Sequence, residues 1–281
     1  MSANIYLAYD GSINADWVSR YAIRMAANTP SRKIVLVHVL DGVYSRENIE
    51  AKIGAVEAEC GLHSIVLERR ILPLRQKVLP TLLGTIPAGD DILCVCGARV
   101  TSMGKGFIAG TISEQLLRRK RFNVMALRVV RPGLLGMPEE LLFPLSGHPR
   151  GFNAAMSFLD LLAPYIRRLH LLRVMQVSSL WFKYLPVTRA RELRGQGIKY
   201  VSTVLEEIRQ QLDPAAIHLD AKVVLSDDWA TEILIHASKL NAQLIIMGAS
   251  DRNLPARYFY GNRIERILRD TPCDVGIYRK I

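Results

Sequence analysis

Little in this sequence points to redox chemistry, bound structural metal or a membrane span. The chain has only four cysteines, Cys60, Cys94, Cys96 and Cys273, with no CxxC pair and no histidine at metal-ligand spacing. That argues against a disulfide framework and against the common zinc sites. Cys94 and Cys96 stand two apart in an apolar run, so on a strand they share a face and read as buried, inert thiols. No apolar run nears the roughly 20 residues of a membrane helix. The N-terminus enters a strand pattern at once, NIYLAYDG, with no signal-peptide layout. A cytoplasmic, soluble protein with no membrane span is the expectation. Catalytic signatures are missing as well. There is no G-x-S-x-G elbow, and no carboxylate pair stands out from the general charge. Ser146-Gly147-His148 is not a nucleophile–base pair by spacing. His38, His63, His170 and His218 lie within or beside strand patterns and read as core or edge residues.

What is present is globular. Hydrophobic residues make up 49% of the 281 and charged ones 22%, enough for two domains of ordinary size, each with a core. The formal charge of +11 suits anionic partners such as nucleotides, nucleic acids or acidic lipids. It is mostly arginine scattered along helical patterns. The one short cluster, Arg118–Arg121, fits a solvated helix C-terminus. With no zinc finger and no RNA-binding aromatic pair, the pattern argues against nucleic acid as the partner.

One stretch occurs twice. Gly97–Thr111 reads GARVTSMGKGFIAGT and Gly248–Asn262 reads GASDRNLPARYFYGN, with the two glycines 13 residues apart in both. Each copy follows a short apolar run and leads into a helical pattern, SEQLLRRK or RIERILRD. A strand, a Gly-bearing loop and a helix N-terminus can hold phosphate, because free N–H groups and the helix dipole favour an anion there. The same residues also suit a purely structural cap. Thr111-x-x-Glu114 fits a capping box and Asn262-x-x-Glu265 a close variant.

Taken in order, the first half alternates strands and helices. Strands are expected at Asn4–Tyr9, Lys33–Leu40, Ser64–Leu72, Ile92–Cys96 and Asn123–Val130. Helices are expected near Ala15–Ala27, Glu47–Glu59 (stopping at Gly61), Arg75–Leu83 and after Thr111. Such alternation argues for right-handed βαβ units and a mostly parallel sheet. Arg131–Glu139 is the Pro/Gly-rich joint, so the domains are placed at 1–131 and 140–281. The same succession then repeats, which marks a tandem duplication. Gly97 precedes Gly248 by 151 residues and Gly11 precedes Gly147 by 136, so about 15 extra residues lie between the first and fourth strands of the second half. The segment Gln176–Val187 and its helix is the obvious place.

On these features the chain resembles the universal stress protein family in its tandem two-domain form. The carriers are Asp10-Gly11-Ser12 after the first strand, the strand Val35–Leu40, the Gly97/Gly110-Thr111 loop, the closing strand Asn123–Leu127, and Thr271-Pro272-Cys273-Asp274-Val275 in the second half. The resemblance implies an α/β fold of two tandem doubly wound, five-stranded parallel-sheet domains, Rossmann-like and similar to the adenine nucleotide alpha hydrolases. It also implies that the last strands of the two units pair within the chain. Some members bind adenine nucleotide and others none. Here the implied ligand is ATP or AMP, with or without magnesium, held by Asp10, Gly11, Val39, Gly97, Arg99, Gly110, Thr111 and Ser113. The family loop G-x2-G-x9-G-[S/T] is altered in both halves. Val100 replaces its second glycine in the first half and Asp251 in the second, where Ser146 also stands for Asp10 and Asn262 for the hydroxyl residue. An aspartate facing phosphate repels it unless Arg252 or Arg257 neutralises it. The first half therefore reads as the nucleotide-binding copy and the second as a degenerate one.

The resemblance leads to a cytoplasmic stress-response protein that is not an enzyme, with slow ATP hydrolysis left open. The alternative is an interaction or scaffold protein that acts as a pseudo-dimer without nucleotide, with a protein partner or a second copy bound at its surfaces. The inserted segment QVSSLWFKYLPV sets Trp181, Phe182, Tyr184 and Leu185 around Lys183. These aromatics either fold back onto the protein or form a docking element for a second chain or, third, a membrane surface.

Overall fold

The computed structural model describes residues 3–98, 111–146, 149–212, 216–249 and 260–281. Ten strands form one continuous sheet in the order β3-β2-β1-β4-β5-β10-β9-β6-β7-β8. The first half supplies β1 (Asn4–Ala8), β2 (Lys33–Leu40), β3 (Val66–Pro73), β4 (Gly89–Gly97) and β5 (Phe122–Arg128). The second supplies β6 (Glu140–Leu145), β7 (Arg168–Gln176), β8 (His218–Ser226), β9 (Leu244–Gly248) and β10 (Asp274–Arg279). Within each half every ladder is parallel; the halves meet where β5 and β10 run antiparallel, with Ala126 opposite Ile277. The expected pairing of the two last strands is thus present, and the two five-stranded sheets merge into one.

Helices cover both faces, as a buried parallel sheet requires. On one face lie α1 (Ile13–Ala27), α2 (Arg46–Leu62), α5 (Pro149–Leu162) and α7 (Val187–Gln211). On the other lie α3 (Val78–Thr85), α4 (Ile112–Arg119), α8 (Trp229–Lys239) and α9 (Tyr260–Asp270). A single turn, α6 (Ser179–Phe182), precedes α7. Each half places two helices on each face, which is the doubly wound arrangement. Cys94 and Cys96 are buried on the α3/α4 face, as their spacing implied.

Local chemistry fixes the helix starts. Ser12 caps α1, its hydroxyl accepting from the Ala15 N–H, with Asp16 in the first turn and Arg24 in the last to suit the dipole. Ser45 caps α2 in the same way, accepting from Asn48. That helix runs past Gly61 to Leu62, one residue beyond the expected stop. A second expectation needs correcting. The backbone of α9 is helical from Tyr260, so Asn262 lies in its first turn and not at its N-cap.

The halves are joined by more than strands. α1 packs against α5 across the pseudo-two-fold, with the Asn28 amide donating to the Leu161 carbonyl at 2.8 Å. The Arg24 guanidinium lies 5.9 Å from the Tyr165 ring centre.

Candidate functional site

In an open parallel sheet the ligand crevice lies outside the carboxyl ends of the strands where the strand order reverses. The first half reverses between β1 and β4, which are direct neighbours with Ala8 opposite Cys96. Asp10 therefore follows one wall of this switch point and Gly97 ends the other.

Asp10 is exposed and closes an Asx turn, its carboxylate accepting from the Ser12 N–H at 2.9 Å. Gly11 has φ +79, which few side chains tolerate, and a Cβ there would lie 2.5 Å from Ile49 Cδ1 and 3.1 Å from the Tyr44 ring. Val39 is on β2, the next strand outward. The Tyr9 N–H donates to the Val37 carbonyl at 3.0 Å, so Val39, two residues on, turns its backbone groups the same way, past the end of β1.

Thr111 caps α4, accepting from the Glu114 N–H at 3.2 Å and lying 2.9 Å from the Ser113 hydroxyl. Both hydroxyl residues are buried. The Glu114 carboxylate pairs with Arg118 one turn on, at 2.7 Å. Arg99 and Gly110, and the substituted positions Val100 and Asp251, lie outside the described residues.

Three features of this mouth had no sequence signal. The Asn14 amide lies over Gly97, 2.6 Å from where a Cβ would stand. Asp16 accepts from the Tyr9 hydroxyl and, at 2.6 Å, from the Lys52 ammonium. Burial, then the Asp16 carboxylate, push the Tyr9 phenol far above its usual range. His38 Nδ1 is 2.8 Å from the Tyr9 carbonyl. These contacts join β2, β4, α1, α2 and Tyr9 just after β1, and only the folded chain brings them together.

The second-half switch point differs in its backbone. β6 and β9 pair only at Leu141–Leu244 and Leu142–Ile245. The next ladder bond would be donated by the N–H of residue 144, which is proline and has none. Pro144 therefore ends the ladder, and β6 and β9 continue without pairing. On the β7 side, the Leu145 carbonyl accepts from Arg173 Nη1 at 2.9 Å. Burial holds the Arg173 guanidinium below its usual pKa, and it lies 5.6 Å from the Tyr200 ring centre.

Two further described histidines stand beside carboxylates. His170 is buried between Glu140 (3.1 Å) and Asp220 (3.4 Å), and His218 is exposed beside Asp220. Among the described residues, no group of three or more His, Cys, Asp or Glu could hold a metal ion.

Comparison with known proteins assigns the family. The model of the universal stress protein family matches residues 137–279, the second half. The chain belongs to the universal stress protein family. A universal stress protein of Methanocaldococcus jannaschii is 22% identical over 169 residues, covering 58% of this chain and 97% of its own. The crystal structure of a universal stress protein from Archaeoglobus fulgidus DSM 4304 superposes with a TM-score of 0.60 at 16% identity, covering 99% of this chain and 96% of its own. The cytoplasmic domain of a prokaryotic cation chloride cotransporter is equally similar in fold. Its TM-score is 0.62 at 11% identity, and the match covers 100% of this chain and 96% of that one. At such identities the likeness concerns the fold alone, and function must be argued from the site.

Proposed function

We propose that this universal stress protein is a cytoplasmic stress-response module whose first half binds an adenine nucleotide, ATP or AMP, in the crevice between β1 and β4. The observation that carries the reading is the direct pairing of Ala8 with Cys96 at the switch point, beside helix starts capped by Ser12 and Thr111. The positive ends of α1 and α4 favour the phosphates. Asp10 and the backbone of Val39 suit the polar edges of ribose and base. Magnesium usually bridges phosphates with one or two carboxylates, so an ion arriving with ATP needs few protein ligands. The reading is of a binding module without a catalytic step. The second half is a degenerate copy, supported by Pro144 and by the Asp251 and Asn262 replacements.

A nucleotide-free scaffold is favoured by one contact, the Asn14 amide over Gly97, which occupies the mouth a ligand would enter. Mass spectrometry of small molecules released by denaturing the purified protein, with calorimetric titration of ATP and AMP, separates the two. Gly110→Asp puts a carboxylate where N–H groups must meet an anion, so it abolishes binding if the crevice is the site. No released nucleotide and no heat of binding from the native protein leave the scaffold reading.

A further inference from the structure

We propose that residues 179–199, the greater part of the inserted segment Gln176–Val187 together with the first turns of α7, are a peripheral anchor for an anionic lipid surface. This goes beyond the nucleotide reading and is independent of it.

The segment is held at its base. The Val177 N–H donates to the Ser226 carbonyl at 2.9 Å, and the Val177 side chain is buried. Beyond it the backbone closes on itself. The Trp181 and Phe182 N–H groups donate to the Ser178 carbonyl at 3.0 and 2.9 Å, and Tyr184 donates to Trp181 at 3.0 Å. On this framework Leu180 is 80% exposed, Trp181 69%, Tyr184 78% and Val187 66%, with Phe182 also exposed. The aromatics therefore do not fold back onto the protein. Single exposed apolar residues are ordinary, but five large ones within eight residues mark a place that meets something other than water.

The charge beside them has one sign. Between residues 179 and 199 stand Lys183, Arg189, Arg191, Arg194 and Lys199 against the single acid Glu192. Arg189 takes that acid at 2.5 Å, and among the described residues the other four cations have no carboxylate partner. Val187, Arg191, Arg194 and Ile198 recur at helical spacing on one flank of α7, and Val187 and Ile198 are exposed. The flank that carries Gly197, Val201, Val204 and Ile208 is buried on the sheet. Gly197 is required there, because a Cβ would meet Val223 at 2.6 Å.

This composition suits a lipid interface. Tryptophan and tyrosine favour the headgroup region, where an apolar ring carries a polar edge. Unpaired basic residues beside them are drawn to anionic headgroups. Leu180, Trp181 and Tyr184 protrude, and a bilayer accepts a protruding turn without a matching pocket. A second copy is a poorer occupant. A two-fold contact through this patch would set Lys183, Arg191 and Arg194 against their own copies. No helix among the described residues is long and apolar enough to cross a membrane, so the attachment is to the surface.

The test is sedimentation of the full chain with vesicles of phosphatidylcholine alone or mixed with phosphatidylglycerol, at low and high salt. The expected result is binding to the mixed vesicles only, weakened by salt. Trp181→Ser with Phe182→Ser, and Arg191→Glu with Arg194→Glu, each lower it by roughly tenfold or more. Circular dichroism shows whether each variant keeps its fold. Quenching by brominated lipid, present in the native chain and lost in Trp181→Phe, reports insertion without relying on the double variants. No binding to mixed vesicles overturns the proposal. So does binding that the Trp181/Phe182 variant retains, which would reflect the general positive charge. A dimer seen by light scattering that this variant dissolves, with no vesicle binding, would assign the patch to a second copy and also overturn it.

Discussion

The Tyr21 hydroxyl donates to the Asp274 carboxylate at 2.6 Å, across 253 residues of sequence and across the two halves of the molecule. The other oxygen of Asp274 accepts from the Val130 and Arg131 N–H groups, both at 2.7 Å. One wholly buried side chain thus ties α1, the joint that leaves the first half, and the first residue of β10. Its three donors satisfy a charge that burial alone would make costly.

Tyr21→Phe removes one of those donors and leaves a buried oxygen short of a partner. A loss of about 1–3 kcal/mol in unfolding free energy is expected. Denaturant unfolding of the two proteins measures it. A change within error would mean that the hydroxyl contributes little at this junction.

The pH dependence has a definite sign. Burial first, against the hydrogen bonds from Tyr21, Arg131 and Val130, raises the Asp274 carboxyl above its usual range. Between the unfolded and folded values the native state holds more protons, so this contribution to stability is present at low pH and lost as pH rises through the folded value. Asp274→Asn removes the titration while keeping the shape. The melting temperature of the variant relative to the native protein should therefore climb as pH rises from about 4 towards 7. A parallel pair of curves would sink the assignment.

Much of this architecture was legible in the sequence, because strand and helix periodicities act locally. The 13-residue glycine spacing and the two offsets mark the repeated unit and the extra length of the second half. Pairing of β5 with β10 followed from the family resemblance. Other features depend on contacts that no local pattern encodes. Tyr21 and Asp274 look like an ordinary helix residue and an ordinary strand start until the halves meet. Asn262 looked like an N-cap, but α9 begins two residues earlier and absorbs it. At the candidate site, Asp10 was legible as a turn residue after a strand, whereas Gly97, expected to follow the strand at Ile92–Cys96, is the last residue of β4. The Asn14 amide over Gly97 was not legible, since its position depends on how α1 leaves β1 beside β4. Pro144 was visible in the sequence, but its effect on the β6–β9 ladder needs the register.

The β5–β10 ladder also predicts how the halves behave apart. Val124–Leu127 are buried against β10, and an isolated first half would expose that long apolar edge. Residues 1–131 expressed alone should self-associate or aggregate, as read by light scattering. A stable monomer would show that the edge can be covered from within.

The four thiols should be silent. Burial pushes Cys94 up to about 12 and Cys60 and Cys273 up to about 11, and it raises Cys96 as well. The thiolate is the reactive form, so its fraction falls roughly a few hundredfold or more below that of a free cysteine. Ellman's reagent should label none in the native protein and four after denaturation. Rapid labelling of any one would expose an opening of the sheet that the packed structure does not contain.

Gly97 gives the most direct test of the crevice. It ends β4 opposite Leu127, and the Asn14 amide stands where its side chain would grow. Gly97→Ala displaces only the end of a flexible side chain and should be tolerated. Gly97→Val goes further, placing two methyl groups between the ends of β1 and β4, where a nucleotide must pass. Fold and melting temperature should change little, because the residue lies at a strand end and its backbone needs no positive φ. ATP affinity, if the native protein shows any, should fall by roughly tenfold or more, the cost of one bulky group at a close contact. Calorimetry on the native chain and both variants reads this directly. Undiminished affinity in Gly97→Val would move the nucleotide out of the β1/β4 crevice.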